Sequence, residues 1–333
     1  MLGRLLTLLV SLTVTACARP EPIMPQAPIR VLYLSQAVGF VHETVRRPEG
    51  GLSPSEVAVR EMAQEAGFAV TFSHDARELT PPALAGLDVL MLGTTGALPL
   101  DRPAWAAITT WVEAGGGVVG VHSAADTQLA FEGGREAWTD FIGGQFDGHP
   151  WTEGTPIRLA NLDPDHPLAA MWPDGADYAE EIYQDSGFRT ETVRVLQALD
   201  MSDGPLRRPY PVPVTWVKAI GEGRLFYTNL GHTPSTWDDP RFRAQIIAGV
   251  RWAAGGTYAA SAPNPDVQDQ AAITAFAAAE GLAGIPAPAD RRAAADAIRA
   301  LQPFYPDRED TDASAWEAAF SRARRLVIEG PRP

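Results

Sequence analysis

The stretch Gly115–Thr127, GGGVVGVHSAADT, constrains this chain more than any other. Three glycines lead into Val118, Val119, Gly120 and Val121, an apolar β-branched run of buried-strand type, and the run stops at His122 among small and polar residues. This predicts a strand whose carboxyl end delivers a histidine into a sharp turn. In an open α/β sheet the ligand crevice lies beyond the carboxyl ends of the strands, so His122 is the first candidate for chemistry. The plainer alternative is a core strand followed by a loop in which His122 is only hydrogen-bonded.

The segments around it alternate in type. Ile29–Ser35 reads as a first strand, followed by a long loop holding Gly39-Phe40-Val41-His42. Ser53-Pro54-Ser55-Glu56 is a capping box with proline at the first helical position, so a helix runs from there to about Ala66, with Gly67 just beyond. Phe68–Ser73 and Asp88–Leu92 read as strands, and Asp101 caps a helix to Ala114. This order predicts an α/β fold with a mostly parallel sheet and helices on both faces. Further on come a short helix, Glu136–Ile142, and short strands at Thr155–Ala160, Ile182–Asp185 and Val193–Leu199. Val212–Ile220 and Arg224–Asn229, joined by Gly221-Glu222-Gly223, form an antiparallel hairpin that ends at Gly231-His232-Thr233. Asp239-Pro240 opens a last core helix to about Ala253, closing a domain over residues 29–256. Residues 257–333 are a helical, Ala- and Pro-rich C-terminal extension with two helical patterns, Arg291–Leu301 and Ala313–Ile328. It shows no chemistry and is expected to pack on the domain or serve a partner.

Composition limits the function. The 333 residues are 45% hydrophobic and 20% charged, which suits one or two domains with a sizeable core. A net charge of −14 argues against nucleic acid as partner, because phosphate binding needs clustered Lys and Arg. Residues 1–16, with Arg4 ahead of an apolar run from Leu5 to Leu12, read as a secretory signal peptide too short to span as a mature helix. Val14-Thr15-Ala16-Cys17 resembles the bacterial lipobox, so lipidation at Cys17 is expected, with proline-rich residues 17–28 as an extended tether. The expected location is the periplasmic side of a membrane, the outer one, since Ala18 is not the aspartate linked to inner-membrane retention. Cys17 is the chain's only cysteine, so the folded body has no disulfide, thiolate metal site or cysteine nucleophile.

GFVHET after the first strand, GGGVVGVHSAADT, FIGGQFDGHP, EEIY, and GRLFYTNLGHT with Trp237 before the last core helix together resemble the trehalose-utilisation ThuA-like family. The resemblance covers roughly residues 29–256. It implies a flavodoxin-like sheet similar to that of class I glutamine amidotransferases, and a link to disaccharide metabolism. Those amidotransferases place a catalytic cysteine in the turn where this chain has His122, and a histidine after a late strand where this chain has His232. With the thiol missing, cysteine-dependent amide hydrolysis is not expected here.

His42, His122 and His232 each follow an expected strand, which lets them converge above one sheet edge, and His149 sits in a loop that can fold over them. Imidazoles gathered in one crevice mean a metal site, with zinc or a similar divalent ion, or acid/base work. His42, His122 and His232 are the expected metal ligands, and His122, Glu181 and His232 the expected catalytic residues. Phe40, Asp126, Asp147, His149, Tyr183 and Trp237 are named for substrate, with Trp151 a further aromatic able to stack on a sugar. Asp126 is also a candidate to orient His122. His74 and His166 look structural. No glycine-rich cradle follows a strand, so no nucleotide cofactor is expected. The expected function is a metal-assisted or histidine-based hydrolase or lyase acting on a disaccharide, keto-sugar or related small molecule. The alternatives are a non-catalytic carbohydrate-binding lipoprotein and a hydrolase using another nucleophile such as Ser123.

Overall fold

Alternating side chains along three short strands place a separate apolar core on each face of one sheet. The computed structural model describes residues 27–256, 259–282, 287–305 and 312–328. Strands β1 (Arg30–Leu34), β2 (Ala69–Ser73), β3 (Val89–Leu92) and β4 (Gly117–Val121) form the first half of the sheet. Val31, Tyr33, Val89, Met91, Val119 and Val121 enter one core, while Leu32, Leu34, Leu90, Leu92 and Val118 enter the other. Helix α1 (Pro54–Ala66) brings Ala58, Val59 and Met62 to the first core, and α2 (Arg102–Glu113) brings Ile108 and Val112 to the second. Helices therefore cover both faces, as expected. The capping box forms: the Ser53 hydroxyl accepts from the Glu56 N–H at 3.3 Å, and the Glu56 carboxylate accepts from the Ser53 N–H at 2.9 Å.

Five more strands complete a nine-stranded sheet: β5 (Pro156–Asn161), β6 (Ala176–Ala179), β7 (Arg194–Leu199), β8 (Pro213–Ile220) and β9 (Gly223–Thr228). The order is β2-β1-β3-β4-β9-β8-β7-β5-β6. From β2 to β9 every pairing is parallel, in the flavodoxin-like strand order. From β9 to β6 every pairing is antiparallel. The expectation of a mostly parallel sheet thus holds for one half only. The reason is local: a two-residue turn such as that between Ile220 and Gly223 can join only antiparallel neighbours, since a parallel crossover needs a dozen or more residues.

Two further expectations change. Ile182–Asp185 is not a strand; Ile182 makes an isolated bridge with Trp151, and Asp185–Ser186 pairs with Gln145–Phe146 as a two-residue ladder. The extension holds a helix not expected from the sequence. After the short α3 (Gly134–Ile142) and the last core helix α4 (Pro240–Ala253) come α5 (Pro265–Ala279), α6 (Arg291–Arg299) and α7 (Ala313–Ile328). The alanine-rich α5 has almost no polar stripe to mark a helical period. Its Ala272, Ile273 and Phe276 join the first core together with Ile298 and Val327, so the extension packs on the domain. The signal peptide, Cys17 and most of the tether lie outside the described residues. Among the described residues no helix is long and apolar enough to cross a membrane.

Candidate metal centre

Parallel pairing of β4 with β9 sets Val121 beside Thr228, so the chain leaves both strands at the same sheet edge. The next residue on β4 is His122, the only non-glycine residue with positive φ (44°) among those described. Non-glycine residues in this region are uncommon and persist where surrounding contacts hold them. Here the Tyr227 hydroxyl donates to the His122 carbonyl at 2.7 Å, and His122 Nδ1 lies 2.8 Å from the Asn229 carbonyl oxygen. A carbonyl can only accept, so Nδ1 carries the proton and Nε2 turns its lone pair into the crevice.

Three further donors meet that lone pair. His232 Nδ1 lies 3.1 Å from His122 Nε2 and 3.0 Å from Glu181 Oε1, and His122 Nε2 lies 3.5 Å from the same carboxylate oxygen. His42 completes the group: one ligand atom from each of His42, His122, Glu181 and His232 lies within 4.8 Å of the others. The three imidazole centroids are 5.0–5.3 Å apart. His42 Nε2 is hydrogen-bonded to the Tyr183 hydroxyl at 3.0 Å. The turn that presents His232 depends on Gly231, at φ 121°, where an added Cβ would lie 2.7 Å from Val121 Cγ1.

Electrostatics fit the geometry. Burial, reinforced by the neighbouring His122 and His232, pushes His42 down to about 3, so it is neutral and available as a ligand. Burial alone would raise Glu181, but the imidazoles of His122 and His232 beside it outweigh burial and hold the carboxyl far below its ordinary value. His232 moves up despite its burial because it faces Glu181. Behind Glu181, the fully buried Glu180 is raised by desolvation; it accepts from the Thr236 hydroxyl and from the backbone N–H of Gly231 at 3.4 Å. Two buried carboxyl groups therefore back a cluster of imidazoles, an arrangement whose charge a divalent cation can balance.

The other expected residues divide between the mouth and the interior. His149 reaches Glu181 Oε2 at 3.5 Å. Phe40 is exposed at the rim, its ring edge-on to His42 at 4.8 Å. Tyr183 packs over His122 at 4.3 Å between centroids. Asp147 is half-buried, its backbone paired with Gln184. Half-buried Asp126 is pushed up to about 6 by burial. It does not orient His122; the Asn229 carbonyl does, because β9 ends alongside β4. Trp237 and Trp151 are each 2% exposed and offer no face to a sugar. The Trp237 indole N–H donates instead to the Gly231 carbonyl at 3.0 Å, bracing the turn that carries His232 from below. Ser123 is buried in the turn after His122. His74 bonds Ser35 and Glu56, and His166 the Ala260 carbonyl, both away from the cluster.

Sequence reasoning missed Asn229, Tyr227 and Glu180. The Asn229 side chain accepts from the Tyr183 N–H and donates to the Tyr183 carbonyl, each at 3.0 Å, tying the His122 acceptor to the segment that bears Glu181 and Tyr183. The one available signal was a polar residue closing the apolar strand at Thr228-Asn229.

Fold and site together define an α/β protein with a flavodoxin-like half-sheet and a largely buried three-histidine, one-glutamate cluster at its carboxyl edge. The chain belongs to the ThuA (trehalose utilisation) family, whose model matches residues 30–253. It is similar in fold to a ThuA-like protein from Bacteroides uniformis ATCC 8492, at 21% identity and a TM-score of 0.53, covering 71% of this chain and 95% of that one. A ThuA-like protein from Parabacteroides merdae ATCC 43184 shares 16% identity and a TM-score of 0.53, over 72% of this chain and 95% of its own. No curated protein matches the chain.

Proposed function

We propose that this chain is a metal-assisted enzyme of carbohydrate metabolism, exported and held at a membrane through a lipidated Cys17. One observation carries the reading: His122 Nε2, His232 Nδ1 and Glu181 Oε1 are 3.0–3.5 Å apart, with the Nε2 lone pair freed by the bond from Nδ1 to Asn229. Donors about 2.0–2.1 Å from one tetrahedral ion stand about 3.4 Å apart, so this set has the spacing of a shared ion, and three imidazoles with a carboxylate suit zinc. His42 is the fourth ligand. A divalent ion bound there supplies a Lewis acid for a substrate or water oxygen.

The chain's own groups supply the rest. Asn229 fixes the ring of His122, and Tyr183 and Phe40 flank the cluster with aromatic surface, the exposed Phe40 ring suiting the apolar face of a sugar. Asp126, titrating near 6, and His149, at the solvent edge of Glu181, hold and move protons at the mouth. Asp147 positions the loop that carries His149.

The test is turnover of disaccharides and their keto-sugar forms, by hydrolysis or elimination, with chelator and with added divalent ions. Activity that chelator removes and metal restores, and that falls by about 10²-fold or more in His122→Ala, supports the reading. Sugar binding without turnover by the wild type on any of these substrates would replace it with a non-catalytic carbohydrate-binding lipoprotein.

A further inference from the structure

A cavity lined by none of the four cluster residues lies where the C-terminal helices meet the domain. It has a volume of about 190 Å³ and is walled by Phe188, Val195, Tyr210 and Ala271, with Asp185 and Gln302 among its polar residues. The extension builds one side of it: Gln302 donates to the Asp185 carbonyl at 2.8 Å, and Ala271 belongs to α5. The family model ends at residue 253, so this wall lies outside the matched residues.

Asp185 is the anomaly. It is 4% exposed, and neither carboxyl oxygen has a hydrogen-bond partner among the described residues. A buried polar group without a partner costs about 1–3 kcal/mol and calls for an explanation. The carboxyl packs against Gly144, where an added Cβ would stand 3.1 Å both from its carbon and from the Phe188 ring, so acid and ring share one corner. Burial pushes it up to about 8, which leaves it a neutral acid able to donate or accept one hydrogen bond at neutral pH.

We propose that this cavity binds a small uncharged ring compound of phenol type, with the ring among the apolar walls and its hydroxyl on Asp185. Size supports a single ring, since an apolar cavity of about 150 Å³ holds benzene. Among the described residues that line the cavity the one cation, Arg299, is already paired with Asp269 at 2.7 Å and with Asp296 at 3.0 Å, which disfavours an anion.

The proposal is independent of the metal centre and is tested by calorimetric titration of the full chain with phenol and with toluene. The expected result is saturable one-to-one binding of phenol about tenfold tighter than toluene, the worth of one hydrogen bond to a buried acid. Asp185→Leu removes an unpaired polar group and should fold; it should equalise the two probes. Ala271→Trp should abolish binding of both while leaving metal uptake unchanged. No saturable phenol binding, equal affinity for phenol and toluene in the wild type, or phenol binding unaffected by the two substitutions would overturn the proposal.

Discussion

The ring of His122 and the backbone carbonyl of Asn229 meet at 2.8 Å across the ends of two parallel strands, and that contact sets which imidazole nitrogen faces the crevice. The acceptor is a main-chain oxygen at the end of β9, so the fold itself imposes the tautomer. The asparagine side chain then bonds both main-chain groups of Tyr183, coupling that strand end to the segment that carries Glu181.

Replacing Asn229 by leucine keeps the carbonyl but leaves the buried N–H and C=O of Tyr183 unpaired. Each such group costs about 1–3 kcal/mol. Thermal denaturation should show a marked loss of stability. Metal affinity should fall by about 10–100-fold, the usual effect of losing an outer support of a ligand set. Unchanged values for both would show that Asn229 does not position the site.

Glu56 predicts an acid-sensitive element remote from the site. Burial opposes its ionisation, yet bonds from Arg47, the Ser53 N–H and the Ser35 hydroxyl hold it down at about 2. Its folded pKa lies below the ordinary glutamate value of 4.5, so its contribution is fully present above about pH 4.5 and is lost as pH falls through about 2. Glu56→Gln should be less stable than the wild type at pH 7, and the difference should shrink towards pH 2. A gap that persists at pH 2 would assign the loss to packing alone.

These relationships show how far the residues alone reach. The strand ending at His122, the capping box at Ser53 and the hairpin closed at Gly221 were legible because each is a local pattern: an apolar run, a side chain three residues from its partner, a two-residue turn. Convergence of His42, His122 and His232 followed from placing three loops at one sheet edge. Asn229 was not legible, because the group that matters is a carbonyl every residue possesses. Its role comes from the register of β9 on β4, which has no local signature. Trp237 illustrates the reverse error: a tryptophan close in sequence to His232 suggests a sugar platform, yet its ring packs against Phe242 and Tyr33 inside the first core. Helix α5 escaped because burial among other helices removes the polar stripe on which period-counting depends.

The lipobox reading predicts that Cys17→Ser prevents lipidation and releases the protein from membranes or blocks its processing. Fractionation of cells expressing each form checks this. Normal processing and unchanged membrane association of the mutant would show that Cys17 is not the anchor.

The central claim is that His42, His122, His232 and Glu181 bind one divalent ion. The direct measurement is metal content by mass spectrometry of untagged protein, as purified and after chelator stripping and reloading with zinc, for the wild type, His122→Ala and Glu181→Ala. The account predicts about one tightly held ion per wild-type chain, restored on reloading, and a loss of about 10²-fold or more in affinity in both variants while they remain folded. A wild-type chain that neither retains nor takes up an ion, or variants that bind it as tightly as the wild type, would contradict it.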